Sequence, residues 1–163
     1  MARDREAMII LILSRLRVPL VVLGWGTSLA ALTLGTIFQG YLLPTTEGGL
    51  LPQVYGASPA GLWVFYLGSF GISAVAAMVI YDAGPAIVAF FFAFGLTASL
   101  TATVLALPEL IGTIQTNGVL QETSILNTFS ALFPLALIVN LVGTLVGIAL
   151  GERLLYSTDV FSV

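Results

Sequence analysis

The sequence predicts an all-α, polytopic membrane protein: a four-transmembrane-helix bundle with an interfacial N-terminal helix, forming one integral membrane domain over residues 1–163. Three observations predict it. First, hydrophobic residues make up 58% of the chain and charged residues 8%, with a mean hydropathy of +1.08. A water-soluble domain carries about 25% charged residues, so this chain lacks the surface that water demands. Second, four charge-free stretches reach the ~20 apolar residues needed to cross ~30 Å of hydrocarbon. Third, all five cations fall before the first stretch or after the last.

The elements follow in order. "MIILILS", Met8–Ser14, is too short to cross and is bracketed by Arg3, Arg5, Arg15 and Arg17. It reads as a helix lying in the inner interface and breaking near Arg17–Pro19. "RLR" follows it where a signal peptide would show small residues, so cleavage is not expected. The first span runs over about 19–43. The second, 60–81, and the third, 85–107, are separated only by "DAG" at 82–84, which predicts a tight antiparallel hairpin with Asp82 capping the third helix. The fourth, 125–150, contains Pro134 and is expected to kink there. Pro19 and Pro85 fit first helical turns, where a missing N–H costs nothing.

Orientation follows from the cations. Four crossings place Arg3, Arg5, Arg15, Arg17 and Arg153 on one side, while the loops 44–59 and 108–124 carry only Glu47, Glu109 and Glu122. That asymmetry predicts a multi-pass protein of the cell membrane with both termini cytoplasmic. Tyr41, Tyr55, Trp63 and Tyr66 would mark the outer boundary, and Tyr81 and Tyr156 the inner one.

Composition also bounds the chemistry. Cysteine and histidine are absent, which removes disulfides, thiol nucleophiles, thiolate or imidazole metal sites and any Ser–His dyad. No carboxylate lies within a span, although intramembrane catalysis and proton-coupled transport both use one there. Asp82 reads as a cap and Glu109 as a solvated helix end. With a net charge of −3 and five Arg, no basic surface for nucleic acid exists. No catalytic residue, cofactor or metal is expected, and the chain does not read as an enzyme.

The most informative stretch is "NLVGTLVGIALG", 140–151. At 100° per residue, Gly143, Gly147 and Gly151 drift 40° per step and form one smooth stripe, with Asn140 within about 60° of each. Hydrophobicity does not drive helices together in lipid, whereas close backbone approach and interhelical hydrogen bonds do. Asn140, Gly143, Gly147 and Gly151 are therefore the expected helix-packing residues. Whether their partner lies in this chain or another is open. Small faces on other spans, Ser69, Ser73 and Ala77 or Thr27, Ala31 and Gly35, are candidates. The span hydroxyls, including Thr33, Thr97 and Ser99, read as interhelical contacts or as bonds to their own helix. The expectation is a non-catalytic small membrane subunit in the lipid bilayer, assembling through this glycine-striped helix with itself or a larger membrane complex. The alternative is a small oligomeric transporter or channel with a pathway between helices.

Overall fold

The computed structural model describes residues 2–45, 53–55, 59–115 and 117–159, with side chains over 16–42, 60–115 and 117–154. Seven elements follow in chain order: α1 (Ala2–Phe38), β1 (Leu43–Thr45), β2 (Gln53–Tyr55), α2 (Pro59–Ile80), α3 (Ala83–Leu110), α4 (Val119–Leu132) and α5 (Leu135–Asp159). Four helical segments, Leu16–Phe38, Ala60–Ile80, Ala83–Leu110 and Leu135–Leu154, are long and apolar enough to cross a membrane. Phe38, Trp63, Leu67 and Phe92 on these helices are each more than half exposed, a surface suited to hydrocarbon and costly in water.

Pro19 does not end a helix. α1 runs unbroken from Ala2 through Pro19 to Phe38, so the N-terminal segment is the first part of α1 and not a separate element. Proline removes one helical hydrogen bond, and neighbouring contacts hold the chain on either side of it. The Arg17 guanidinium donates to the Val79 carbonyl and lies 5.0 Å from the Tyr81 ring centroid. Val18, Val21 and Val22 pack on the core.

The expected fourth span is two helices. Phe133 is extended, with φ −128° and ψ 139°, because a residue before proline is pushed out of the α region. α4 ends there, and α5 starts afresh as Ile138 N–H donates to the Pro134 carbonyl at 3.2 Å. α4 packs on α3 and α5 packs on α2, so only Leu135–Leu154 has the length and apolarity of the span.

The second and third spans also differ from a tight hairpin. Asp82 caps α3, its carboxylate accepting from Gly84 N–H at 3.3 Å. Beyond this turn the helices choose other partners: α2 packs chiefly on α5 and α3 chiefly on α1. A short antiparallel ribbon, Leu43 opposite Tyr55, adds a β element that the all-α expectation did not contain.

The two ends of the bundle are distinct. Arg17 meets Val79 and Tyr81, and Gly151 abuts Met78 and Tyr81. The Arg17 level of α1, the α2–α3 turn and the far end of α5 therefore share one end. α1 and α3 run parallel, as do α2 and α5. Trp25, Leu29, Phe90 and Ile148 fill the core toward that end, and Leu42, Phe65, Ala131 and Ala136 fill a smaller cluster elsewhere.

Candidate functional site

The three stripe glycines face the backbone of α2. A Cβ added at Gly143 would lie 2.6 Å from the Phe70 carbonyl oxygen, and one at Gly151 2.9 Å from that of Met78. At Gly147 the clash is with the Ala74 carbonyl oxygen, with the Ala74 Cα and carbonyl carbon both at 2.9 Å. Real side chains do not approach within 3.0 Å of backbone in this way. Steps of four along α5 thus meet steps of four along α2, at Phe70, Ala74 and Met78. Both helices turn through 400° in four residues, so the same faces meet again at each step. The partner of the stripe lies within this chain.

Asn140 sits beside the stripe, 1% exposed. Its Oδ1 accepts from the Ser73 hydroxyl at 2.6 Å, and its Nδ2 donates to the Ala136 carbonyl at 2.7 Å. A carbonyl only accepts, which assigns the amide orientation from its partners. Ser73 in turn accepts from the Trp25 indole N–H at 3.2 Å. Trp25, Ser73 and Asn140 therefore join α1, α2 and α5 in one buried chain of hydrogen bonds. One turn on, Thr144 Oγ1 donates to the Asn140 carbonyl at 2.8 Å. The indole N–H, the hydroxyl and both polar atoms of the Asn140 amide each have a partner, as burial in a medium of low dielectric favours.

The other parallel pair meets in the same manner. A Cβ at Gly26 would lie 2.9 Å from the Ala93 carbonyl oxygen. Thr97 donates to both Ala93 and Gly26 carbonyls, at 2.8 and 3.1 Å. Other span hydroxyls turn back to their own helices: Thr27, Thr33 and Thr36 in α1, Ser69 in α2 and Ser99 in α3. Of the second-span face Ser69, Ser73 and Ala77, only Ser73 makes a side-chain bond to α5.

Glu109 holds a different role from a solvated end. Its carboxylate accepts from Gly118 N–H at 2.6 Å and from Gln121 N–H at 3.0 Å, and so caps α4 from the end of α3. The negative charge also meets the positive end of the α4 dipole. A cap supplied across nine residues escapes a search for local capping boxes, as does the place of Trp25 in the Ser73–Asn140 chain.

The arrangement can hold helices together. Asp82 stands in the α2–α3 turn, Glu109 at the end of α3 and Glu122 in the first turn of α4, while Arg17, Glu152 and Arg153 lie at the ends of the apolar segments Leu16–Phe38 and Leu135–Leu154. Among the described residues, no group of three His, Cys, Asp or Glu side chains is placed to hold a metal ion. No protein-family model, curated protein or solved structure matches the chain.

Proposed function

We propose that this chain is a non-catalytic integral membrane subunit of the cell membrane, with both termini cytoplasmic, that assembles with itself or a larger membrane complex. One observation carries the reading: the polar groups converging on the bundle interior at Trp25, Ser73 and Asn140 bond to one another and form a closed joint. A catalytic or proton-coupled site would instead present an ionisable group at that depth.

Assembly uses a surface other than the glycine stripe, since α2 already occupies the stripe. Gly24 and Gly71 line a groove between α1 and α2 together with Ser28, and a Cβ added at either glycine would meet nothing within 4 Å. Small outward positions of this kind allow close approach between membrane helices.

The test is cross-linking in native membranes, where the cysteine-free chain makes single cysteines unambiguous. Gly71→Cys, with Leu145→Cys as an outward position on α5, is treated with a short bis-maleimide. An adduct formed at position 71 and not at 145 supports assembly through the groove. A chain that stays monomeric at both positions and conducts solute in liposomes contradicts the reading and favours the transporter alternative.

A further inference from the structure

A cleft of about 410 Å³ lies between α3 and α4, within the range of about 300–1,000 Å³ typical of small-molecule pockets. Phe94, Ala98 and Ala102 of α3 form one wall, and Thr128 and Phe129 of α4 with Phe133 form the other. Phe129 and Phe133 stack with centroids 5.1 Å apart and planes 20° from parallel. Both rings are more than a third exposed, so the mouth opens at the lateral surface of the bundle, at the depth of the third span.

No charged side chain lines the cleft, which selects a neutral occupant. Its polar groups are two hydroxyls in different states. Ser99 donates to the Gly95 carbonyl at 2.9 Å, one turn back on its own helix. Thr128 is 4% exposed, and its Oγ1 has no hydrogen-bond partner. On the same helix Thr123 and Ser124 bond back to Val119 and Leu120, whereas Thr128 and Ser130 do not. A buried hydroxyl left unpaired costs about 1–3 kcal/mol, a cost that a ligand acceptor would remove. Rotation about χ1 exchanges the hydroxyl and methyl positions of threonine, and helical threonine populates more than one such rotamer. Thr101 and Ser130 also lack partners, but neither lines the cleft.

We propose that the α3–α4 cleft binds a neutral, lipid-soluble ligand with a flat ring and a carbonyl acceptor, an aromatic ketone or quinone. Phe94, Phe129 and Phe133 contact the ring, and Thr128 donates to the carbonyl. The site is independent of the Ser73–Asn140 joint and of the α1–α2 groove, so it stands or falls apart from the subunit reading.

The test uses the full-length protein in detergent and two probes of one shape, 2-methyl-1,4-naphthoquinone and 2-methylnaphthalene, with Tm followed against probe concentration. Ligand that binds only the folded state raises Tm in proportion to its affinity. The absence of cysteine and lysine removes the side chains that a quinone would alkylate most readily. The quinone is expected to saturate with three- to tenfold higher affinity than the hydrocarbon, the range of one net hydrogen bond. Thr128→Val should make the two probes equal, and Thr128→Ser should restore the difference. Ala102→Phe should abolish both shifts with the helical circular dichroism unchanged; Ala98→Leu serves if that variant does not fold. Failure of either probe to saturate, equal affinities in the wild type, or a quinone preference that survives Thr128→Val would each overturn the proposal.

Discussion

The Ser73 hydroxyl meets the Asn140 side-chain oxygen at 2.6 Å across 67 residues of sequence, and with Trp25 behind it this bond joins three helices at one buried point. Asn140→Leu should cost about 0.6–2 kcal/mol, the modest scale of hydrogen bonds within membranes. Ser73→Ala should cost at least as much, because it leaves both the buried Trp25 indole N–H and the Asn140 Oδ1 without this partner. The two losses should be non-additive, since each removes the same bond. Unfolding of the two single variants and the double variant in mixed micelles measures this. Strict additivity would show that the bond contributes nothing.

Glycines of equal helix propensity should separate by what lies beside them. Gly147→Ala drives a methyl into the Ala74 backbone and should destabilise by about 1–3 kcal/mol, the scale of overpacking. Gly147→Leu should be worse, forcing α2 and α5 apart. Gly71→Ala meets open space and should be neutral or stabilising by up to about 1 kcal/mol, the propensity difference between the two residues. Leu145 is 51% exposed, and Leu145→Ala should stay within about 0.5 kcal/mol, as for surface positions generally. Thermal unfolding of the four variants side by side gives the order. Equal stability of Gly147→Ala and Gly71→Ala would mean that α2 and α5 are not in backbone contact.

Glu109 caps α4 from the preceding helix. Glu109→Gln keeps one carbonyl acceptor and removes the charge, and should destabilise α4 by about 0.5–2 kcal/mol, the usual range for losing a cap. Hydrogen exchange reads this locally: amides of 118–122 should exchange several-fold faster while those of α2 and α5 stay unchanged. A uniform change across all helices would show that α4 has no separate stability.

Much of the architecture was legible before any coordinates, and the failures have physical causes. Span ends at 60 and near 80 follow from the apolar run itself, and the stripe at 143, 147 and 151 follows from helical arithmetic. Spacing names a face but no partner, so α2 was not readable as the helix that meets it. The division at Pro134 was partly written in the chain: Gln121, Glu122, Thr123, Ser124, Asn127, Thr128 and Ser130 make α4 far more polar than α5. Hydropathy over 125–150 averages that contrast away. Pro19 misleads in the opposite sense, because the contacts of Arg17 with Val79 and Tyr81 join positions 62 and 64 residues apart. Thr128 gave no signal, since only geometry tells a bonded hydroxyl from a free one.

The central claim is a four-span membrane bundle in which the chain termini and the α2–α3 turn share the cytoplasmic side. Single cysteines at Asp82, Glu122 and Ser157, placed one at a time in the cysteine-free chain and probed in intact cells with a membrane-impermeant maleimide, test it most directly. The account predicts labelling at 122 from outside, with 82 and 157 labelled only after the membrane is opened. Labelling of 82 and 122 from the same side would contradict it, because α3 would then not cross.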